Sequence, residues 1–148
     1  MRIAVVSDEP CEVNERVVGA LVQRGHEVVR FGSLVTGREV SWAEAGREAA
    51  QAVASGDCAE GVFFCWSGTG MSMVANKVPG VRAALCTDAE TARLARVWNH
   101  ANVLVLSNRL TSAALAAEIL DAWLSTPAHD ARGTAGVMVL DELDRQRS

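Results

Sequence analysis

The sequence lacks the features of several large classes of protein. Its four cysteines form no Cys-x-x-Cys pair and match no zinc-ligand spacing, so we expect no metal site. Its formal net charge is −4, whereas a nucleic-acid-binding protein carries a basic face. No apolar run approaches the length of a membrane span, and the first residues lack the apolar core and cleavage site of a signal peptide. We therefore predict a cytoplasmic protein that binds neither nucleic acid nor membrane.

The sequence does contain the material of one globular domain. Its 148 residues are enough to bury a core without disulfide or metal cross-links. Hydrophobic residues make up 49% and charged residues 22%, which is ordinary globular usage. We find no internal repeat, low-complexity segment or linker, and predict a single domain over residues 1–148.

Short apolar segments alternate with amphipathic segments along the chain. The former predict strands at residues 2–7, 26–31, 61–65, 82–85 and 103–106. The latter predict intervening helices, with capping boxes opening at Ser41 and Thr87, and a last helix over about 135–145. This alternation predicts an α/β fold, a Rossmann-like three-layer αβα sandwich with a five-stranded parallel sheet and a C-terminal helix.

Parallel α/β sheets bind ligands at the carboxyl ends of their strands. Four short segments are expected on that rim, at residues 8–9, 65–70, 86–87 and 107–109. The second of them, the turn Ser67-Gly68-Thr69-Gly70, leads from a strand into a helix and so offers unpaired backbone N–H groups to an anion. It matches neither a Walker loop nor a dinucleotide fingerprint. Taken alone, the turn could also simply close a corner.

Cys65 ends the third predicted strand, in front of that helix. A helix N-terminus favours the thiolate, so Cys65 is a candidate base or nucleophile. A nucleophilic cysteine normally needs a histidine partner. His26 is expected to begin an inner strand and to pack there, whereas His100 and His129 lie on loops that could approach the rim. A Cys-His hydrolase is therefore one open alternative.

Three motifs follow one another in a recognisable order: CWSGTGMS at 65–72, ANKVPGVRAA at 75–84 and NHANVL at 99–104. Together with the acid at position 8, the arginines at 109 and 132 and the helix ILDAWL at 119–124, they resemble the ribose-5-phosphate isomerase B and galactose-6-phosphate isomerase family. The resemblance covers nearly the whole chain.

The resemblance implies an aldose–ketose isomerase that acts on a pentose or hexose phosphate through a cis-enediolate, without metal or cofactor. Cys65 lies at the family's base position, and Ser67 corresponds to the hydroxyl that moves a proton between O1 and O2. Asn99 and the backbone N–H groups of residues 68–70 would stabilise the oxygen where charge develops. Two roles are open for Asp8: it accepts hydrogen bonds from sugar hydroxyls, or it only caps its helix.

The resemblance also implies a homodimer or homotetramer with sites between subunits, where Arg109 and Arg132 hold the phosphate. The full set of candidates is catalytic Cys65, Ser67 and Asn99, and substrate-binding Asp8, Glu9, Trp66, Gly68, Thr69, Gly70, Trp98, His100, Arg109 and Arg132.

Several positions depart from the family pattern. Glu9 and Trp98 replace histidines, Trp66 replaces a small residue, and Gly136 replaces one of two C-terminal arginines. These changes give a site with less positive charge and more aromatic surface, which argues against ribose 5-phosphate as the ordinary substrate. The tryptophans could stack on a sugar or lie in the core. A non-catalytic sugar- or anion-binding homologue is the second open alternative.

Overall fold

The computed structural model describes residues 1–147, which form a parallel sheet with helices on both faces. The strands are β1 (Arg2–Ser7), β2 (Glu27–Gly32), β3 (Glu60–Cys65), β4 (Ala83–Leu85) and β5 (Val103–Ser107). The helices are α1 (Glu12–Gln23), α2 (Ser33–Thr36), α3 (Trp42–Ala54), α4 (Thr69–Asn76), α5 (Ala89–Asn99), α6 (Ala113–Ser125) and α7 (Thr134–Arg147), with a 3₁₀ turn at Ala131–Gly133. The expected fold class is confirmed.

The strand order is β2-β1-β3-β5-β4, and every neighbouring pair is parallel. The two strands β3 and β5 are buried along their whole length, because helices cover both faces of the sheet. This explains why these strands read as unbroken apolar runs rather than as alternating patterns.

Two hydrophobic cores lie on the two faces of the sheet. One core joins α1, α5 and α6 to the strands and contains Leu21, Phe64, Leu104, Ile119 and Trp123. The other joins α3 and α4 to the opposite face and contains Val6, Ala49, Phe63, Cys65 and Met71. The side chain of Cys65 therefore faces the α3–α4 layer.

The second strand lies at an edge of the sheet, so the expectation of an inner position for it is wrong. The chain returns from α1 to the outer side of β1, and β3 takes the other side. His26 precedes β2, and its Nδ1 lies 3.3 Å from the amino group of Met1 rather than in the core.

Two short turns and one cap differ from expectation. The single turn of α2 and the 3₁₀ turn lie in segments expected to be loops, because elements of three or four residues carry no periodicity. Ser41 caps α3 as expected, accepting a hydrogen bond from the Glu44 N–H. The cap of α5 is Asp88 instead of Thr87, since its Oδ1 accepts the Thr91 N–H at 2.7 Å.

A buried ion pair ties α5 and α6 to the amino end of β3. Arg96 Nη2 donates to Glu60 Oε1 at 2.6 Å, and Trp123 Nε1 donates to Glu60 Oε2 at 2.8 Å. Arg96 also donates to the carbonyl oxygens of Ala101 and Thr126, and its guanidinium carbon lies 4.6 Å from the Trp123 ring centroid. Every charge in this cluster therefore has a partner, as burial requires.

We expect Glu60→Gln to lower the free energy of unfolding by about 3 kcal/mol, because it leaves the Arg96 charge buried and uncompensated. Urea denaturation followed by circular dichroism measures this loss. The matched control is Glu27→Gln, which removes the exposed ion pair with Arg2 and should cost less than about 0.5 kcal/mol. Equal losses in the two variants would contradict the role given to the buried pair.

Candidate active site

The strand order changes direction between β1 and β3, which makes their carboxyl ends the expected ligand crevice. A cavity of about 320 Å³ opens there. It is lined by Asp8, Trp42, Cys65, Trp66, Ser67, Thr69, Gly70 and Met73. Sequence-predicted residues from the end of β1 and from the turn after β3 therefore meet in one cavity.

Gly68 makes the sharp turn from β3 into α4. Its φ of +80° is left-handed, and a Cβ there would lie 2.5 Å from Leu85 Cδ1. Glycine is the residue that adopts this conformation at least cost, so the position explains its presence. The turn aims the first N–H groups of α4 at the cavity end of β3.

The start of α4 presents free donors beside Cys65. The Ser72 N–H makes the first helical bond, to the Gly68 carbonyl oxygen at 3.1 Å, which leaves the N–H groups of the preceding turn outside the helical ladder. The hydroxyls of Ser67 and Thr69 lie 2.7 Å apart. A thiol, a hydroxyl pair and a helix N-terminus thus converge within six residues, a set suited to moving a proton and stabilising an oxyanion.

The turn after β5 holds the backbone around Cys65. The Asn108 N–H donates to the Cys65 carbonyl oxygen at 2.9 Å, and the Arg109 N–H donates to the Trp66 carbonyl oxygen at 3.0 Å. Ser107 Oγ donates to the same Trp66 oxygen at 2.8 Å. The turn at 107–109 therefore lies on the predicted rim, with Arg109 exposed beside the cavity segment.

A buried polar network, which the sequence reading missed, supports the rim. Asn14 Nδ2 donates to Asn108 Oδ1 at 2.9 Å, and Asn108 Nδ2 donates to Ser7 Oγ at 3.2 Å. The sequence pattern could have indicated Asn14, because it lies among the buried apolar positions of α1. A polar residue on the apolar side of a helix needs a partner, and here that partner is the rim.

Asp8 carries an unpaired buried oxygen. Its Oδ1 is buried and has no hydrogen-bond partner among the described residues. Burial, reinforced by the adjacent charge of Glu9, raises the pKa of Asp8 above its ordinary value. The N-cap of α1 is Cys11, so the alternative of Asp8 as a helix cap is wrong. A carboxylate oxygen of this kind is suited to accept a hydrogen bond from a bound hydroxyl.

Trp42, Trp66 and Trp98 are exposed, so their alternative placement in the core is wrong. Trp66 is 58% exposed at the cavity, and Trp42 packs so closely on Gly70 that a Cβ there would lie 2.9 Å from its ring. Trp98 is also exposed, and Trp123 is the core tryptophan. The aromatic surface of the cavity therefore comes from two different elements, α3 and the turn after β3.

The segment 98–100 lies at the amino ends of the strands (the amino edge of the sheet), whereas Cys65 lies at their carboxyl ends (the carboxyl edge). Arg82 Nε donates to the His100 carbonyl oxygen at 2.9 Å, and the Asn102 carbonyl oxygen accepts the N–H of Gly61 near the start of β3. A six-residue strand separates the two edges by about 17 Å. One chain therefore does not bring Asn99 together with Cys65.

Arg132 also lies at the amino edge of the sheet. Its Nε and Nη2 donate to Asp130 Oδ1 and Oδ2, both at 2.9 Å, and its guanidinium carbon lies 5.9 Å from the Trp98 ring centroid. The 3₁₀ turn packs tightly on the end of α5, since a Cβ on Gly133 would lie 2.7 Å from the Trp98 carbonyl oxygen. This contact gives a physical reason for glycine at position 133.

The histidines do not pair with Cys65 within one chain. His100 Nε2 donates to the Asp130 carbonyl oxygen at 2.7 Å, far from the cavity. His129 is exposed in the loop that follows α6, at the amino edge of the sheet. A Cys-His hydrolase site is therefore absent from residues 1–147 taken as a single chain.

Residues 1–147 contain neither a metal-binding cluster nor a membrane-spanning helix. Among residues 1–147, no group of three histidine, cysteine, aspartate or glutamate side chains is placed to hold a metal ion. Within the same described range, no helix combines the length and apolar character needed to cross a bilayer.

Residues 3–139 match the family model described as Ribose/Galactose Isomerase. The chain is 32% identical over 136 residues to ribose-5-phosphate isomerase B of Escherichia coli strain K12, covering 92% of this chain and 91% of that protein. It is 34% identical over 125 residues to D-erythrulose-4-phosphate isomerase of Pectobacterium atrosepticum, covering 84% and 82%.

Among solved structures, it resembles ribose-5-phosphate isomerase B of Clostridium thermocellum with a TM-score of 0.91 and 36% identity, covering all of both chains. The likeness therefore extends from the sequence to the full course of the backbone.

We expect Asp8→Asn to stabilise the protein above the pKa of Asp8. Folding raises the pKa of this carboxyl, so the protein loses stability as the pH rises from the unfolded to the folded pKa of Asp8. Asparagine does not ionise, so the variant has no such loss. The gain should therefore be absent at acidic pH, where Asp8 is protonated in both states, and fully present at pH 7. Urea denaturation between pH 4 and pH 8 tests this, with exposed Asp57→Asn as control. A pH-independent difference between wild type and Asp8→Asn would count against the buried carboxylate.

Proposed function

The chain belongs to the ribose/galactose isomerase family, and we propose on that basis that Cys65 is the base of its reaction. The enzyme is a sugar-phosphate isomerase that interconverts an aldose and a ketose. The observation that carries the proposal is the position of Cys65, at the carboxyl end of a central strand and beside the open N-terminus of α4. We further propose that the whole chain, 1–148, is one domain of this kind and that it acts in the cytoplasm.

The site residues fit the steps of an enediolate reaction. Cys65 takes the proton from C2 of the aldose, and the electron pair moves onto O1. The N–H groups at the start of α4 stabilise the negative charge as it develops. Ser67 transfers a proton from O2 to O1, and Cys65 returns its proton to C1. The unpaired oxygen of Asp8 accepts a hydrogen bond from a substrate hydroxyl in the same cavity.

A complete site requires a second chain. Asn99 and Arg132 are needed beside the sugar and at its phosphate, and in one chain both lie about 17 Å from Cys65 along the strands. We propose a homodimer in which the amino edge of one subunit faces the carboxyl edge of its partner. Helix α7 supports this arrangement, since none of its residues 134–147 is buried in the single chain while Met138, Val139 and Leu143 are exposed.

The cavity also limits the substrate. Trp66 and Trp42 supply aromatic faces that can stack on the carbon face of a sugar, and they reduce the room beside Cys65. Glu9 places a further negative charge next to Asp8. We therefore propose a substrate other than ribose 5-phosphate, and a panel of tetrose, pentose and hexose phosphates would identify it.

We expect Cys65→Ala to lower turnover by at least about 100-fold, because it removes the general base. The matched control is Cys11→Ser, which changes a partly exposed cysteine at the N-cap of α1. Cys86 does not replace the base, since burial raises the pKa of its thiol to about 12. Proton exchange at C2 in deuterated water, followed by NMR, measures the first step directly. Unchanged exchange in Cys65→Ala would refute the assignment.

We expect an inactive Cys65→Ala protein and an inactive Asn99→Ala protein to restore activity when mixed. In a twofold dimer with shared sites, a mixed dimer has one intact site, so random exchange should give about a quarter of wild-type turnover. The mixture is refolded together from urea, and each variant refolded alone is the control. Continued inactivity of a mixture that has formed mixed dimers would show that the two residues act in one chain or not at all.

A further inference from the structure

The side chain of Arg132 is already engaged by a carboxylate of its own turn. Both oxygens of Asp130 accept from the Arg132 guanidinium, and Asp130 Oδ1 also accepts the Arg132 N–H at 2.9 Å. The guanidinium holds the pKa of Asp130 well below its ordinary range. The two opposite charges therefore lie side by side, fixed by three hydrogen bonds within the 3₁₀ turn.

The hydrogen-bond geometry leaves one edge of Arg132 open. A guanidinium has five N–H donors, and Asp130 uses the edge formed by Nε and Nη2. The ring of Trp98 lies near the guanidinium, with 5.9 Å between the Arg132 Cζ and the ring centroid. An anionic ligand can therefore accept hydrogen bonds from the remaining N–H groups on the Nη1 side. The Asp130 carboxylate then lies on the other side of the same guanidinium.

We propose that Asp130 sets the charge selectivity of this site, so that the site lacks the preference for a dianion over a monoanion that an unpaired arginine would give. The inference rests on the proposed role of Arg132 as the ligand of the substrate's anionic end. A free arginine attracts a dianion twice as strongly as a monoanion, but the pair of Arg132 and Asp130 has no net charge. The site is accordingly expected to accept a sugar with a monoanionic end, such as a sulfonate, as readily as one with a dianionic end.

Two other positions act in the same direction. Position 136 is glycine, so the chain has no second arginine on the first turns of α7. Glu9 adds a negative charge beside Asp8, at the carboxyl ends of the strands. The neutralised arginine is thus the main cation available from this turn.

We expect Asp130→Asn to tighten binding of sulfate, a dianion, by about tenfold and of methanesulfonate, a monoanion, by about threefold. Asparagine retains the cap of the 3₁₀ turn, so the change removes charge and little else. The shift of the Trp98 indole N–H signal, assigned with Trp98→Phe, reports binding during an NMR titration at constant ionic strength. The decisive quantity is the ratio of the two dissociation constants, which a purely structural role of Asp130 would not change.

Two variants serve as controls. Glu15→Gln removes a carboxylate of the same kind, ion-paired with Arg30 at the far side of the sheet, and should leave both constants unchanged. Arg132→Gln should abolish the Trp98 response to either anion. Asp130→Ser, which keeps a capping side chain, repeats the test with a different residue.

The proposal is overturned if the sulfate-to-methanesulfonate ratio is the same in wild type and in both Asp130 variants, or if sulfate binds without Arg132. The titration requires no turnover, so it separates this inference from the proposed function. If Cys65 proved not to be the base, the effect of Asp130 on the ratio of the two dissociation constants would be unaffected. If that ratio did not change in the Asp130 variants, the assignment of the chain as an isomerase would be unaffected.

Discussion

The structure depends on one constraint: all five strands are parallel, so their carboxyl ends lie at the same edge of the sheet. Residues that directly follow strands, such as Asp8 and those of the turn after Cys65, therefore lie close together as a result of the strand direction alone. Side chains at the ends of helices that run back across the sheet, such as Asn99, are carried to the other edge. This separation is the reason for proposing a site shared by two chains.

Two buried polar clusters fix these two edges. At the carboxyl edge, Ser7, Asn14 and Asn108 join β1, α1 and the turn after β5. At the amino edge, Glu60 and Arg96 join β3 to α5 and α6. Each cluster is costly to break, because burial leaves any remaining partner unsatisfied. The positions of the two halves of the site are therefore set by polar contacts within the core as well as by apolar packing.

The sequence allowed the strands, the layers and the ligand rim to be predicted, because apolar periodicity and strand-end chemistry are local properties. It did not reveal that β2 is an edge strand, since strand order is decided by pairing between distant segments. It did not reveal the partner of Arg96 either, which is 36 residues away at Glu60. The exposure of Trp66 was equally out of reach, because a tryptophan beside an apolar strand resembles a core residue until the neighbouring helices are placed.

The electrostatics of the two edges indicate how the site gains affinity. Asp8 and Glu9 at one edge are negative, and Arg132 at the other is neutralised by Asp130. In the proposed shared site, a bound sugar therefore obtains little energy from its charge. It can instead donate a hydroxyl to the unpaired oxygen of Asp8 and bury its carbon face against Trp66. Satisfying a buried acceptor and covering an exposed ring are both favourable, so recognition in the proposed site rests on the body of the sugar more than on its anionic end.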